Sequence, residues 1–129
     1  MDAMQPQDAL KRLLANGPLT GWPRRPADQD LLVALTGARF EVGRDYREDE
    51  VNEIVKEWLA TFSAPYGIDH VSMRRALVDA RWLVRDAAGV AYRRNAGKPA
   101  LPEADVEPAR LLAEIQAERD ARKRRQQGA

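Results

Sequence analysis

The chain has no cysteine and a single histidine, His70. These two scarcities exclude disulfide frameworks, thiolate nucleophiles and Cys/His zinc sites. A Ser-His-Asp triad would have to run through His70, and no nucleophile elbow accompanies it. The eight glycines are scattered and form neither a phosphate-binding loop nor a G-x-G-x-x-G fingerprint. No apolar run approaches the ~20 residues that a bilayer crossing needs. The opening Met1-Asp2-Ala3-Met4-Gln5-Pro6 lacks the basic and apolar portions of a signal peptide. The acidic residues fall mostly on solvated helix faces. The expectation is a cytoplasmic, non-enzymatic protein with no cofactor, no metal and no membrane contact. On that reading His70 is a helix-start residue and not a ligand.

Among 129 residues, 44% are hydrophobic and 32% charged, which suits one domain with a core of its own. The net charge of +1 hides an uneven distribution. Glu41–Phe62 holds seven acidic and three basic residues, Ser63–Lys98 holds seven basic and three acidic, and the stretch from Pro99 onward holds six of each. An acidic segment followed by a basic one is the more informative signal.

Hydrophobic spacing predicts five helices and a hairpin. The first helix covers about Pro6–Ala15, with Leu10, Leu13 and Leu14 as its stripe, and Asn16-Gly17-Pro18 stops it. Gly21-Trp22-Pro23-Arg24-Arg25-Pro26 is a stiff connector, with Trp22 laid on the core. A second helix runs over about Ala27–Arg39. The third carries the clearest stripe, Val51, Ile54, Val55, Trp58, Leu59 and Phe62, behind an acidic first turn of Glu48, Asp49 and Glu50. Tyr46 precedes it as a staple residue. A fourth helix starts at the N-cap Asp69 and buries Met73, Ala76, Leu77 and Ala80.

Trp82–Arg85 and Val90–Arg94 then read as strands joined by Asp86-Ala87-Ala88-Gly89. A symmetric closure sets Leu83 opposite Tyr92 on the buried face and Trp82 opposite Arg93 on the outer one, in cation–π contact. The final helix, about Pro108–Gln126, has an apolar start in Leu111, Leu112 and Ile115. Its charged end is expected to fray, supported by Glu118–Arg122 and Asp120–Arg124 pairs.

Helices followed at once by a two-stranded hairpin give an α+β, mostly helical, winged-helix-like fold with an additional C-terminal helix. Residues 1–98 form the domain, and residues 99–129 form a linker and the charged helix. In such a fold the helix before the hairpin reads DNA and the hairpin is the wing.

Trp22-Pro23-Arg24-Arg25-Pro26, Tyr46-Arg47-Glu48-Asp49-Glu50-Val51-Asn52 and Asp69-His70-Val71-Ser72-Met73-Arg74-Arg75-Ala76-Leu77-Val78-Asp79, followed by Arg85 and Tyr92, resemble an uncharacterised bacterial domain family. That family occurs alone or fused behind ArsR-type helix-turn-helix transcription regulators. The resemblance spans about residues 8 to 94. It implies a small winged-helix-like module associated with transcription and supplies no catalytic residues. Where such domains carry glycine after the Val-Asp pair, this chain has Ala80-Arg81-Trp82, so its helix is expected to end differently.

Two uses of these parts follow. In the first, the module binds duplex DNA. Arg74 and Arg75 then reach groove or backbone from the fourth helix, Ser72 adds a hydrogen bond, and Arg85, Arg93 and Arg94 contact the backbone from the wing. Three features oppose it. Val71 and Val78 flank Arg75 with apolar surface, Asp79 is spaced to pair with Arg75, and the acidic third helix repels a polyanion. In the second use the module associates with protein, as a homodimer or on a transcription regulator, through Val71, Val78, Leu111, Leu112 and Ile115. The complementary charge halves then face each other between copies. A pocket for a small effector stays open as a third possibility.

Overall fold

The computed structural model describes residues 5–128; Met1–Met4, read above for a leader, and Ala129 lie outside them. The fold is α+β and about half helical, with five helices and one three-stranded antiparallel sheet among the described residues. Helices α1 (Pro6–Leu13) and α2 (Pro26–Gly37) both open on proline, whose fixed φ and missing N–H suit the first turn. Gly17, at φ +103°, makes the turn that ends the α1 segment. Helix α2 is buried continuously from Leu32 to Gly37, between α1 on one side and α4 on the other.

Strand β1 (Asp45–Arg47) was not foreseen, because three residues are too few to show alternation. Its central Tyr46 is buried and packs edge-on against Phe40. Helix α3 (Glu48–Ala60) follows without a break, and α4 (His70–Asp79) packs along it. Strands β2 (Leu83–Arg85) and β3 (Ala91–Arg94) complete a sheet ordered β1-β3-β2.

The hairpin closes two residues later than a symmetric turn implies. Asp86 and Ala91 still share a backbone hydrogen bond, and Asp86 also binds Gly89 N–H and, through its carboxylate, Val90 N–H. The pairs are therefore Leu83 with Arg94, Val84 with Arg93 and Arg85 with Tyr92. A two-residue shift leaves the paired strand residues on their expected faces but changes their neighbours, whereas Trp82, expected on the outer face, departs from it. Trp82 lies ahead of the strand and is buried, with Arg94 and Lys98 over its ring in place of Arg93.

Helix α4 ends in a left-handed cap without glycine. Arg81 has φ +67°, Trp82 N–H reaches back to Leu77 O, and Arg81 N–H to Val78 O, the two bonds of a Schellman motif. Lys98 Nζ donates to the Ala80 carbonyl, and Asn95 Nδ2 donates to Arg81 O at 2.8 Å. The cap thus keeps its geometry and carries the strain of a side chain at positive φ.

The segment after residue 98 shares the one core. Ala104 and Val106 are buried, Arg39 donates to the Ala104 carbonyl, and Leu111 and Ile115 belong to the same apolar cluster as Leu10 and Leu14. Helix α5 (Pro108–Gln127) runs parallel to α1, with Lys11 on Glu114 and Glu118 and Arg119 on Ala15 O. One expectation fails and another holds in part. The end of α5 is helical through Gln127, and neither Glu118–Arg122 nor Asp120–Arg124 comes within ion-pair distance, although, after the Lys11 hydrogen bond and charge, the Arg122 charge still lowers the Glu118 carboxyl. Lys11 takes Glu118 at 2.8 Å, and Gln116 takes Asp120 at 3.0 Å. Among the described residues no helix is long and apolar enough to cross a membrane.

Candidate nucleic-acid interface

The surface in question is the outer side of α4 together with the β2–β3 hairpin. Asp69 fixes the start of α4: its carboxylate accepts from Ser72 N–H at 2.8 Å and from Ser72 Oγ at 2.7 Å. Those bonds hold the Asp69 carboxyl below its ordinary range. Ser72 is therefore half of a helix cap, with its hydroxyl already committed.

Arg74 is turned inward, its side chain 16% exposed. It donates to Asn52 Oδ1 at 2.6 Å and lies 3.5 Å from Glu48 Oε1, bracing α4 against α3. Tyr92 donates to the same Glu48 oxygen at 3.1 Å. Burial first, and then that hydrogen bond, raises the Tyr92 phenol above its usual value. Arg93 sits directly across from Asp45 and donates to it at 2.8 Å, which lowers the Asp45 carboxyl and raises the Arg93 guanidinium.

Arg94 is 3% exposed. It donates to Gly37 O at 3.1 Å and to Asn95 O at 2.6 Å, and its guanidinium lies 4.8 Å from the Trp82 ring centroid. Burial lowers its pKa from the ordinary value. The expectation that it contacts a phosphate backbone is corrected: strand alternation places it on the same face as Tyr92 and Leu83, inside the molecule.

Two of the expected guanidinium groups remain at the surface without a hydrogen bond or ion pair among the described residues, Arg75 and Arg85. Arg75 is exposed on α4 and does not pair with Asp79. Arg85 lies across the hairpin turn, so close that a Cβ on Gly89 would sit 2.5 Å from its Nη2.

The apolar residues of the association reading are also largely used within the chain. Leu111 and Ile115 are core, and Val78 and Leu112 pack on it from the edge. Val71 is half-buried. Exposed apolar residues that the sequence did not single out lie on and beside the sheet: Val42 is 59%, Val84 49% and Val90, in the hairpin turn, 65% exposed. Val42 and Val84 flank a groove of about 600 Å³ beside the Asp45–Arg93 pair.

The complementary charge halves meet inside one chain, where the sequence suggested contact between copies. Glu48 faces Arg74, and Asp45 faces Arg93. The acid-then-basic order was the available signal for these partners, but it cannot assign them without β1, whose pairing with β3 creates the second contact. No group of three or more potential metal ligands occurs among the described residues.

Residues 18–94 match the pattern of a family described as an uncharacterized protein conserved in bacteria, DUF2087. The match takes in the connector, α2, β1, α3, α4 and the hairpin, and leaves α1 and α5 outside. No curated protein and no solved structure matches the chain.

Proposed function

The chain belongs to this family, and on that footing we propose that it is a winged-helix module of transcription control that binds duplex DNA, with α4 as reader and the β2–β3 hairpin as wing. One observation carries the reading. The order α2–β1–α3–α4–β2–β3, with the sheet ordered β1-β3-β2, places the hairpin three residues after α4 and leaves Arg75 and Arg85 free on these two elements. The resemblance to domains that accompany ArsR-type regulators supports transcription as the setting. Arg75 and Arg85 are the contacts. Arg74 and Ser72 position α4, Arg93 joins only by exchanging Asp45 for a phosphate, and Arg94 takes no part.

Two guanidinium groups neutralise two phosphates, so log K falls with log salt at a slope of about −2, and affinity from this face alone is modest. The test is anisotropy of a labelled duplex across a salt series. Arg75→Ala with Arg85→Ala weakens binding uniformly over sequences and reduces the slope by about 2. Unchanged binding in that double variant sinks the reading.

The exposed Val42 and Val84 on the groove beside the sheet favour a second reading, association with protein through that side. It predicts no duplex binding and a dimer in sedimentation that Val84→Asp disperses.

A further inference from the structure

The densest positive surface of the molecule lies on α5. Between Arg119 and Arg125 there are five basic residues and one acid. Helix α1 ends at Leu13, and Arg119 makes α5's last hydrogen bond to the rest of the fold, on Ala15 O. From Arg122 to Gly128 every residue is exposed. No side chain of Arg122, Lys123, Arg124 or Arg125 forms a hydrogen bond or ion pair among the described residues. The two nearby acids are taken, Glu118 by Lys11 and Asp120 by Gln116. A cation or two at a helix C-terminus is accounted for by the helix dipole. Four in succession, of which only Arg122 lies near a carboxylate, that of Glu118, are not.

The arrangement of these charges selects the partner. Successive helix positions differ by about 100°, so four consecutive cations point around nearly the whole circumference and not along one face. A flat anionic surface such as a membrane engages one face, and this stretch has no apolar face to insert. A second copy's acidic α3 is a poor match, because Asp49, Glu50, Glu48 and Glu53 already have cationic partners in Arg47, Arg44, Arg74 and Lys56. A duplex major groove is about 12 Å wide, admits a helix of about 10–12 Å diameter, and has phosphates on both walls. We propose that the last two turns of α5 form a sequence-independent arm that lies in a nucleic-acid duplex groove and neutralises phosphates with Arg122, Lys123, Arg124 and Arg125. This arm lies outside the family match and acts separately from the α4 and hairpin face.

The test uses the full chain and a labelled 20-base-pair duplex of arbitrary sequence over a range of potassium chloride. The comparison is the wild type against a variant carrying Arg122→Gln, Lys123→Gln, Arg124→Gln and Arg125→Gln. Those side chains form no hydrogen bond or ion pair, so loss of their dipole interaction and of Arg122 beside Glu118 lowers the variant's thermal midpoint only slightly. Four phosphates at about 0.9 each give a slope contribution near −3.6, so this arm alone accounts for a loss of affinity of about 100-fold between 50 and 200 mM salt, and the variant loses that steepness. A single strand of equal length binds the wild type more weakly than the duplex. Binding that survives Arg75→Ala with Arg85→Ala but disappears in the α5 variant supports the arm and sinks the α4 reading; the opposite pattern overturns the arm alone. The arm is equally overturned if the α5 variant keeps wild-type affinity and slope, or if the wild type binds phosphatidylserine vesicles or itself and leaves the duplex free.

Discussion

The Arg94 guanidinium behaves as a core group. It supplies donors to two carbonyls, Gly37 O and Asn95 O, and covers the Trp82 ring, which in turn lies against Gly37. Arg94→Ala leaves buried acceptors without donors, and urea unfolding is expected to show a loss of about 3 kcal/mol. A Cβ at Gly37 would sit 2.8 Å from the Trp82 ring, so Gly37→Ala forces the indole out of place and lowers stability as well. Arg81 gives the opposite case. Its φ of +67° is a glycine conformation occupied by a side chain, and Arg81→Gly raises stability by about 1 kcal/mol, because the relieved strain slightly exceeds the added freedom of the unfolded chain. A calorimetric midpoint that does not rise would show that the arginine side chain offsets its own backbone cost.

Among the elements, α4 depends most on its ends. Asp69→Ala removes the cap on Ser72 and costs about 1 kcal/mol. The pH dependence has a definite sign. In the folded chain the Asp69 carboxyl is held below its unfolded value, first by the Ser72 hydroxyl and then by the Ser72 N–H. The unfolded chain therefore takes up the proton first as pH falls, and the cap's contribution, complete above about pH 4, is lost on descending through the folded pKa. The acid limb of stability against pH is shallower in Asp69→Ala, as chemical denaturation at stepped pH will show.

The same cap was legible in the sequence, as were α3, whose stripe repeats over several turns, and the position of the hairpin. The sequence did not disclose β1, which is too short to alternate, or the hairpin register, which three hydrogen bonds at Asp86 decide, one donated to Ala91 O and two accepted from Gly89 and Val90 N–H. It also could not assign the arginines. An Arg at the surface, in a pair or under a tryptophan has the same local pattern, and Arg94, Arg93 and Arg75 fall into three different environments.

On the scale of the whole molecule, the family match stops at Arg94, but the core does not. Leu111, Ile115, Val106 and Ala104 close the side of the cluster that holds Leu10 and Leu14. Removing residues 100–129 uncovers three large aliphatic side chains' worth of contact, of the order of 5 kcal/mol, and thermal unfolding of the shortened chain is expected to be broad or absent near physiological temperature. The Lys11 ammonium meets Glu118 across 107 positions of sequence. During synthesis the leucines of α1 therefore have no permanent cover until the stretch around Ile115 has left the ribosome, although α2, the sheet and α4 are by then complete. A chain stopped short of Ile115 is expected to leave the flank of Leu10 and Leu14 open to water, and to be cut there first by an added protease.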